Sequence, residues 1–284
     1  MMLQSFPTLG ISFPKLMALV YTFSTEASVQ TSLRDAFSGV HEVAGVRSLG
    51  RLALSLRERP ASVCVTDLAS LGFDSGGMGR LVRLRQRFPS VGHVLLARVR
   101  DDPRLLFEVG RLGFGSLVVL GTEDQRWRLL RSVDGAQRGG VTSRVLREIG
   151  PNVPPRETRA LRLALDQVHK CWSAEGFAEL VGLSRPFLSV VLKNVGLPPV
   201  GRLLVWVRLL HAGHWLSDPG RTGQSVSRQL EYSSGAAFRR ALKGFTGATP
   251  TMVAARGGMS FVLRHFLSEC RFHKNAARSR ASVA

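Results

Sequence analysis

Between residue 16 and about residue 137, short apolar runs alternate with longer stretches in which apolar residues recur every three or four positions. The runs are LMALVYT (16–22), SVCVTDL (62–68), VGHVLLA (91–97) and SLVVLG (116–121), with a weaker one at GVHEVAG (39–45). Continuous apolar runs of this length suit strands covered on both faces, as in a parallel sheet. The intervening segments, 27–38, 47–58, 77–88, 102–112 and 123–136, read as amphipathic helices. In GRLVRLRQRF, Leu81, Leu84 and Phe88 fall on one helical face with arginines opposite. The order predicts an α/β unit, a (βα)5 open parallel sheet.

Residues 138–157, RGGVTSRVLREIGPNVPPRE, gather Gly, Pro and Asn with weak periodicity and read as a linker. Beyond them the period-two pattern of strands is absent. Leu161, Leu165, Val168 and Trp172 mark one helix, AEGFAELVG and RPFLSVVLKNVG two short ones, and residues 200–216 a long one. Further helices are expected over 224–231, 234–244 and 250–256. Seven helices joined by tight turns make an all-α unit. The expected organisation is 1–137, 138–157 as linker, 158–257 as the helical unit, and 258–284 as an extra helix with a basic tail.

The helical unit contains an internal echo. FAELVGLSRPFLSVVLKNVG (177–196) and VSRQLEYSSGAAFRRALKGFTG (226–247) each hold a short helix, a turn ending in Ser, a second helix with an apolar anchor, and a closing Gly. That layout is two helix-turn-helix units in tandem. The stretch between them, VGRLLVWVRLLHAGHWL, is apolar on nearly every face, as expected of a helix buried by units packing on opposite sides.

Charge sharpens the picture. The chain of 284 residues has a formal net charge of +19, with 18 Lys/Arg against 12 Asp/Glu in residues 1–140 and 21 against 8 in residues 141–284. A compact basic half points to a polyanion, nucleic acid first and an anionic membrane surface second. Cys64, Cys171 and Cys270 lie too far apart in sequence for a disulfide framework or a metal cluster, which favours a reducing setting. With no run long enough to span a bilayer, the expected location is cytoplasmic, at the nucleoid, with no membrane partner. No Ser/His/Asp or Cys/His set has a catalytic spacing, so no catalytic residue and no enzyme activity is expected.

These residues resemble the AraC-type transcriptional regulators over roughly 160–257. The marks are Ala178, GLS at 182–184, Leu188, Leu192, Gly196, RLLHA at 208–212, YSS at 232–234, Phe238, Leu242, Lys243, Gly247 and Pro250. Three residues separate Ser184 from Leu188, and four separate Ser233 from Phe238. Glu231 stands where the family usually has Gly, in a turn that calls for a left-handed backbone, and Ser227 where it has Ala. The resemblance implies a DNA-binding regulator whose two recognition helices enter adjacent major grooves of double-stranded DNA, with RNA polymerase and a second copy of the chain as candidate protein partners. No cofactor is implied.

The first half looks like a response-regulator receiver domain, and Asp67, closing SVCVTDL, stands at the family's phosphoacceptor position. Tyr21 and Thr22 are expected where that family has its acidic pair, Ala97 where it has a hydroxyl residue, and no lysine follows the fifth run. One carboxylate holds a divalent cation poorly. The expectation is therefore a receiver-like unit that regulates or dimerises without phosphorylation, the alternatives being phosphorylation on Asp67 or an interaction module with only non-specific DNA binding.

In the first recognition helix, Ser184 is the expected cap, with Arg185, Pro186, Ser189 and Lys193 outward. Arg185 suits bidentate recognition of guanine and Lys193 a phosphate, and Phe187 is either core or a contact to a thymine methyl. In the second, Ser233 is expected to cap. Ser234, Gly235 and Ala236 then face the duplex while Arg239, Arg240 and Lys243 hold the backbone. The tiny residues serve close approach, or mark a unit that adds affinity and little base reading, which is the favoured reading. His211 and His214 read as helix packing or phosphate contacts rather than metal ligands. FDSGGMGRL (73–81) reads as a flexible turn rather than a phosphate cradle, and the tail ECRFHKNAARSRASVA as solvated.

Overall fold

A computed structural model describes residues 18–72, 75–98 and 103–272. Residues 1–17, Phe73, Asp74, 99–102 and most of the basic tail, 273–284, lie outside them. The α/β half holds β1 (Leu19–Phe23), α1 (Ala27–Phe37), β2 (Glu42–Val46), α2 (Leu49–Glu58), β3 (Val63–Asp67), α3 (Ser75–Arg87), β4 (Gly92–Arg98), α4 (Pro103–Arg111), β5 (Leu117–Leu120) and α5 (Arg126–Ile149). The five strands form one parallel sheet in the order β2-β1-β3-β4-β5. The α/β fold expected from the alternating runs is therefore present.

The sheet is buried on both faces because its side chains alternate between two cores. Val20, Val63, Val65, Val94, Leu96 and Val118 pack with Leu33 and Phe37 of α1 and Leu129 and Val133 of α5. On the other face, Tyr21, Phe23, Cys64, Leu95 and Ala97 pack with Leu52, Leu56, Leu81, Leu84 and Val109. This is the physical content of the unbroken apolar runs. At about 25 cal/mol per Å² of apolar surface, each fully buried Val or Leu stabilises the sheet by roughly 1.5–3 kcal/mol before entropy is counted.

The second half is helical: α6 (Pro155–Asp166), α7 (Ala174–Leu180), α8 (Arg185–Asn194), α9 (Val200–Leu216), α10 (Gly223–Gln229), α11 (Gly235–Thr246), α12 (Pro250–Ala255) and α13 (Met259–Glu269). Helix α9 lies at the centre, with Leu203, Trp206, Val207, Leu209, Leu210, Ala212 and Leu216 buried in one continuous core. The last helix, α13, packs along α9. Glu269 accepts from the Arg202 guanidinium and, at 2.9 Å, from the Trp206 indole N–H.

Three local expectations are corrected. Helix α6 stops at Asp166, a short 3-10 turn covers Val168–Lys170, and Cys171 adopts φ +44°, so Trp172 lies outside the helix. The described part of FDSGGMGRL is no turn, because Ser75 onward is the start of α3. The stretch 138–157 is mostly helical: it forms the second half of α5, a 3-10 turn at Gly150–Asn152 with Pro151, and the start of α6.

The weak periodicity over 138–149 has a geometric cause. Leu129, Val133, Val141, Val145 and Ile149 are all buried, yet the first two belong to the sheet core and the last three to the helical core. Positions four apart on an α-helix advance by roughly 40°, so the apolar stripe turns through roughly 200° over these twenty residues. One helix thereby serves two cores on opposite sides, and no single face is apolar throughout.

Candidate nucleic-acid interface

Two units of paired short helices, α7–α8 and α10–α11, each joined by a tight turn, pack against α9. Each helix of the units begins at a side-chain cap. Ser173 accepts from Gly176 N–H and Ser184 from Phe187 N–H; Thr222 and Ser225 form a reciprocal capping box; Ser234 accepts from Ala237 N–H at 3.0 Å. Such caps satisfy amide groups that the first turn leaves open. Ser184 caps as expected. The cap of α11 is Ser234 and not Ser233, because Ser234 has the extended backbone (φ −160°, ψ 159°) from which its hydroxyl reaches the first turn. With that correction the units match: three residues separate each cap from its anchor, Leu188 or Phe238.

In the first unit, Leu188 and Leu192 are buried and Val191 is half-buried. Arg185, Pro186 and Lys193 are exposed and Ser189 is half-buried. Phe187 and Val190 are each 52% exposed, which places two apolar side chains beside Arg185 and Lys193 on the outer face. Val190 was not singled out by the sequence, where one valine in a pair carries no direction until the helix phase is known. Arg185 is paired with Glu175 of α7 at 2.5 Å, with both side chains more than half exposed. A backbone hydrogen bond at its own residue, and after it the pairing with Arg185, keep the Glu175 carboxyl below the usual range.

In the second unit, Phe238, Leu242 and Thr246 are buried, and Arg239, Arg240, Lys243, Ser234 and Ala236 are exposed. A Cβ at Gly235 would lie 2.6 Å from Oε1 at the end of the flexible Gln224 side chain of α10, a contact that rotation of that side chain relieves. The turn carries Glu231 at φ +53°, the left-handed conformation that favours glycine. It is held from α9, where Arg208 donates to the Leu230 carbonyl at 2.5 Å and lies 3.9 Å over the Tyr232 ring. Tyr232 in turn packs against Phe238. Arg208 thus braces the turn of the second unit, whereas the sequence marked it only as the first residue of RLLHA.

His211 and His214 belong to the interior of α9. His211 bonds the Leu165 carbonyl through Nε2 at 3.0 Å, and burial lowers its pKa to about 4. Burial likewise lowers His214, to about 3, where it packs against Gly140 of α5. Both are neutral at physiological pH, and their contacts are to α6 and α5.

Asp67 ends β3 and is fully buried. Its Oδ2 accepts from Ser24 at 2.9 Å and Ser70 at 2.7 Å; its Oδ1 accepts from the Ala69 N–H and the Arg98 guanidinium, both at 3.2 Å. Arg98 also reaches Glu26 at 2.8 Å, so one guanidinium bridges two carboxylates. Tyr21 and Thr22 are not at this pocket. Both lie inside β1, where Tyr21 bonds the Ser55 and Arg59 carbonyls and Thr22 bonds Gln30. Since β1 pairs Phe23 with Thr66, the next residue in register, Ser24, meets Asp67. Ala97 is buried within β4 and Arg98, one residue on, supplies the contact. A divalent cation needs several free oxygens, whereas both Asp67 oxygens already accept from four donors. Among the described residues, the set around Asp67 does not fit a divalent ion.

No protein-family model matches the chain, and no curated protein does. Among solved structures, chemotaxis protein CheY4 of Vibrio cholerae is 14% identical with a TM-score of 0.36, covering 43% of this chain and 99% of its own. NtrX of Brucella abortus in complex with ATP is 14% identical with a TM-score of 0.38, over 59% of this chain and 40% of its own. RcsB of Salmonella enterica serovar Typhimurium bound to promoter P1flhDC is 22% identical with a TM-score of 0.37, over 63% and 90%. Likenesses this distant do not transfer a function, and the fold stands on the strand order and helix succession observed here.

Proposed function

We propose that this chain is a sequence-specific DNA-binding transcriptional regulator, a binding protein rather than an enzyme, whose helical half is an AraC-type double helix-turn-helix. The observation that carries the reading is the pair of capped helix N-termini, at Ser184 and Ser234, set on one buried helix and flanked by exposed basic side chains. Open amide groups and the positive end of the helix dipole favour phosphate there. Arg239, Arg240 and Lys243 on α11 and Lys193 on α8 neutralise the backbone and set register. Arg185, on exchanging Glu175 for a base edge, reads guanine, with Phe187 and Val190 beside it for thymine methyls. Seventeen residues of α9 span about 25 Å, a length suited to holding two recognition helices toward successive major grooves on one DNA face.

Helix α11 contributes affinity more than base recognition, because its exposed long side chains are the phosphate-seeking Arg239, Arg240 and Lys243 while its first turn offers only Gly235, Ala236 and Ala237. The α/β half acts without phosphoryl transfer, its Asp67 pocket being closed by Arg98, and passes its state on through contacts with a second copy of the chain or with RNA polymerase. Selection of bound fragments from a random DNA pool tests the proposal. A bipartite motif, with the half facing α8 more constrained, is expected. Retention of every sequence alike, with an affinity set by salt alone, would reject specific regulation.

A further inference from the structure

A cavity of about 670 Å³ lies where the α/β half meets α5, bounded by the start of β4, the Phe114–Ser116 loop before β5, and one face of α5. Its charge is one-sided. Arg85, Arg131 and Arg147 line it, and no carboxylate does among the described residues. Arg85 donates to the Leu112 carbonyl and lies 4.8 Å over the Phe114 ring, while Arg131 and Arg147 make no hydrogen bond or ion pair with the described residues. Residues 135 and 139 of α5 are glycines, and a Cβ at either would meet no atom within 4 Å, so the floor is backbone open to the cavity.

A second observation points to a ligand. His93 lines the cavity and is 8% exposed, yet neither ring nitrogen has a hydrogen-bond partner. Burial, with Arg85 adding to it, lowers its pKa to about 4, so the ring is neutral and offers one donor and one acceptor. Buried polar atoms are ordinarily satisfied, and a site that leaves a histidine orphaned beside three guanidinium groups is short of a polar, anionic occupant.

We propose that this cavity binds a small organic phosphate of about mononucleotide size. The phosphate meets Arg131 and Arg147, and a polar edge of the remaining body meets His93 beside Phe114. Guanidinium pairs suit phosphate oxygens, and the volume, well beyond what inorganic phosphate fills, lies within the range of small-molecule sites. Because the same helix continues into the helical core through Val141, Val145 and Ile149, an occupant here touches the element both halves share. The site does not depend on the DNA-binding reading, and its test uses no DNA for the primary measurement.

The test is calorimetric and thermal-shift titration of the full chain with AMP, adenosine and inorganic phosphate, on the wild type, R131A/R147A and G135L. The last variant projects a branched side chain into the cavity from its open backbone floor while replacing a helix-interior glycine with a better helix former, so it keeps its fold. Expected are saturable AMP binding, no binding of adenosine, phosphate weaker than AMP by at least tenfold, and loss of AMP binding by at least tenfold in both variants. The proposal is overturned if AMP does not bind at about 1 mM, if inorganic phosphate binds equally well, or if G135L binds like the wild type. It is also overturned if R131A/R147A lowers DNA affinity in the absence of nucleotide, which would assign those guanidinium groups to the DNA backbone.

Discussion

The turn after α9 carries a polar latch between the two halves whose strength can be measured. Asp218, 5% exposed, accepts from the Ser90 N–H at 2.9 Å and from the Ser90 hydroxyl. Arg221 donates to the Ala61 carbonyl at 3.4 Å and to Gln229 at 2.7 Å, and Gly220, at φ +89°, sits where a Cβ would lie 2.3 Å from the Arg57 carbonyl. Burial raises the Asp218 pKa, against the hydrogen bonds from Ser90, and lowers that of Arg221. D218A leaves two buried donors of Ser90 unpaired and should cost about 2–4 kcal/mol. D218N retains an acceptor for the Ser90 amide and should stay within about 1 kcal/mol of the wild type. Urea unfolding of the wild type, S90A, D218A and the double variant isolates the hydroxyl bond, with an expected coupling of about 1.5–3 kcal/mol. The pH dependence has a definite sign. A carboxyl whose folded pKa is raised favours the folded state below its unfolded pKa, and that contribution is lost as pH rises through the folded value. The stability of the wild type relative to D218N should therefore fall as pH rises from below 3.8, the unperturbed value. Zero coupling, or a D218A protein as stable as the wild type, would refute the latch.

Three further outcomes follow from the sites. R185A should relax base preference at one position by about 1–3 kcal/mol of discrimination, while K193A should weaken all sequences alike and reduce the salt slope by about one; equal loss of specificity in both, read by competition binding, would show the roles misassigned. Incubation with acetyl phosphate and Mg²⁺ should leave Asp67 unmodified, and an adduct of about 80 Da, one phosphoryl group, that D67A abolishes would establish phosphorylation there despite Arg98. E231G should stabilise the protein by about 1 kcal/mol in urea unfolding, since it removes a side chain from a left-handed backbone; a loss of stability would mean that the Glu231 side chain outweighs its strain.

Much of the architecture was legible because it is written in local patterns. Strands buried on both faces leave uninterrupted apolar runs, and β3 begins and ends within one residue of its run. The long helix α9 occupies the stretch 200–216 read from its apolar residues. What failed did so for identifiable reasons. The cap of α11 shifted from Ser233 to Ser234 because two adjacent serines offer the same chemistry, and only the backbone angles choose between them. The Asp67 neighbours were misplaced because an apolar run shows that a strand exists but leaves its register free. Pairing β1 with β3 brought Ser24 there and left Tyr21 and Thr22 in the strand.

Residue pattern alone, then, determined the α/β half, the succession of short helices after it, the paired units and the basic charge. These depend on periodicity and composition over a few turns of chain. Tertiary structure decided that Arg98 occupies the Asp67 pocket, that Arg208 holds the second turn, and that α5 is a single helix shared by two cores. It also decided that Arg85, His93, Arg131 and Arg147, up to 62 positions apart, line one cavity. Contacts of that kind are set by strand register and by the rotation of a helix relative to its neighbours, and neither quantity is carried by any local stretch of residues.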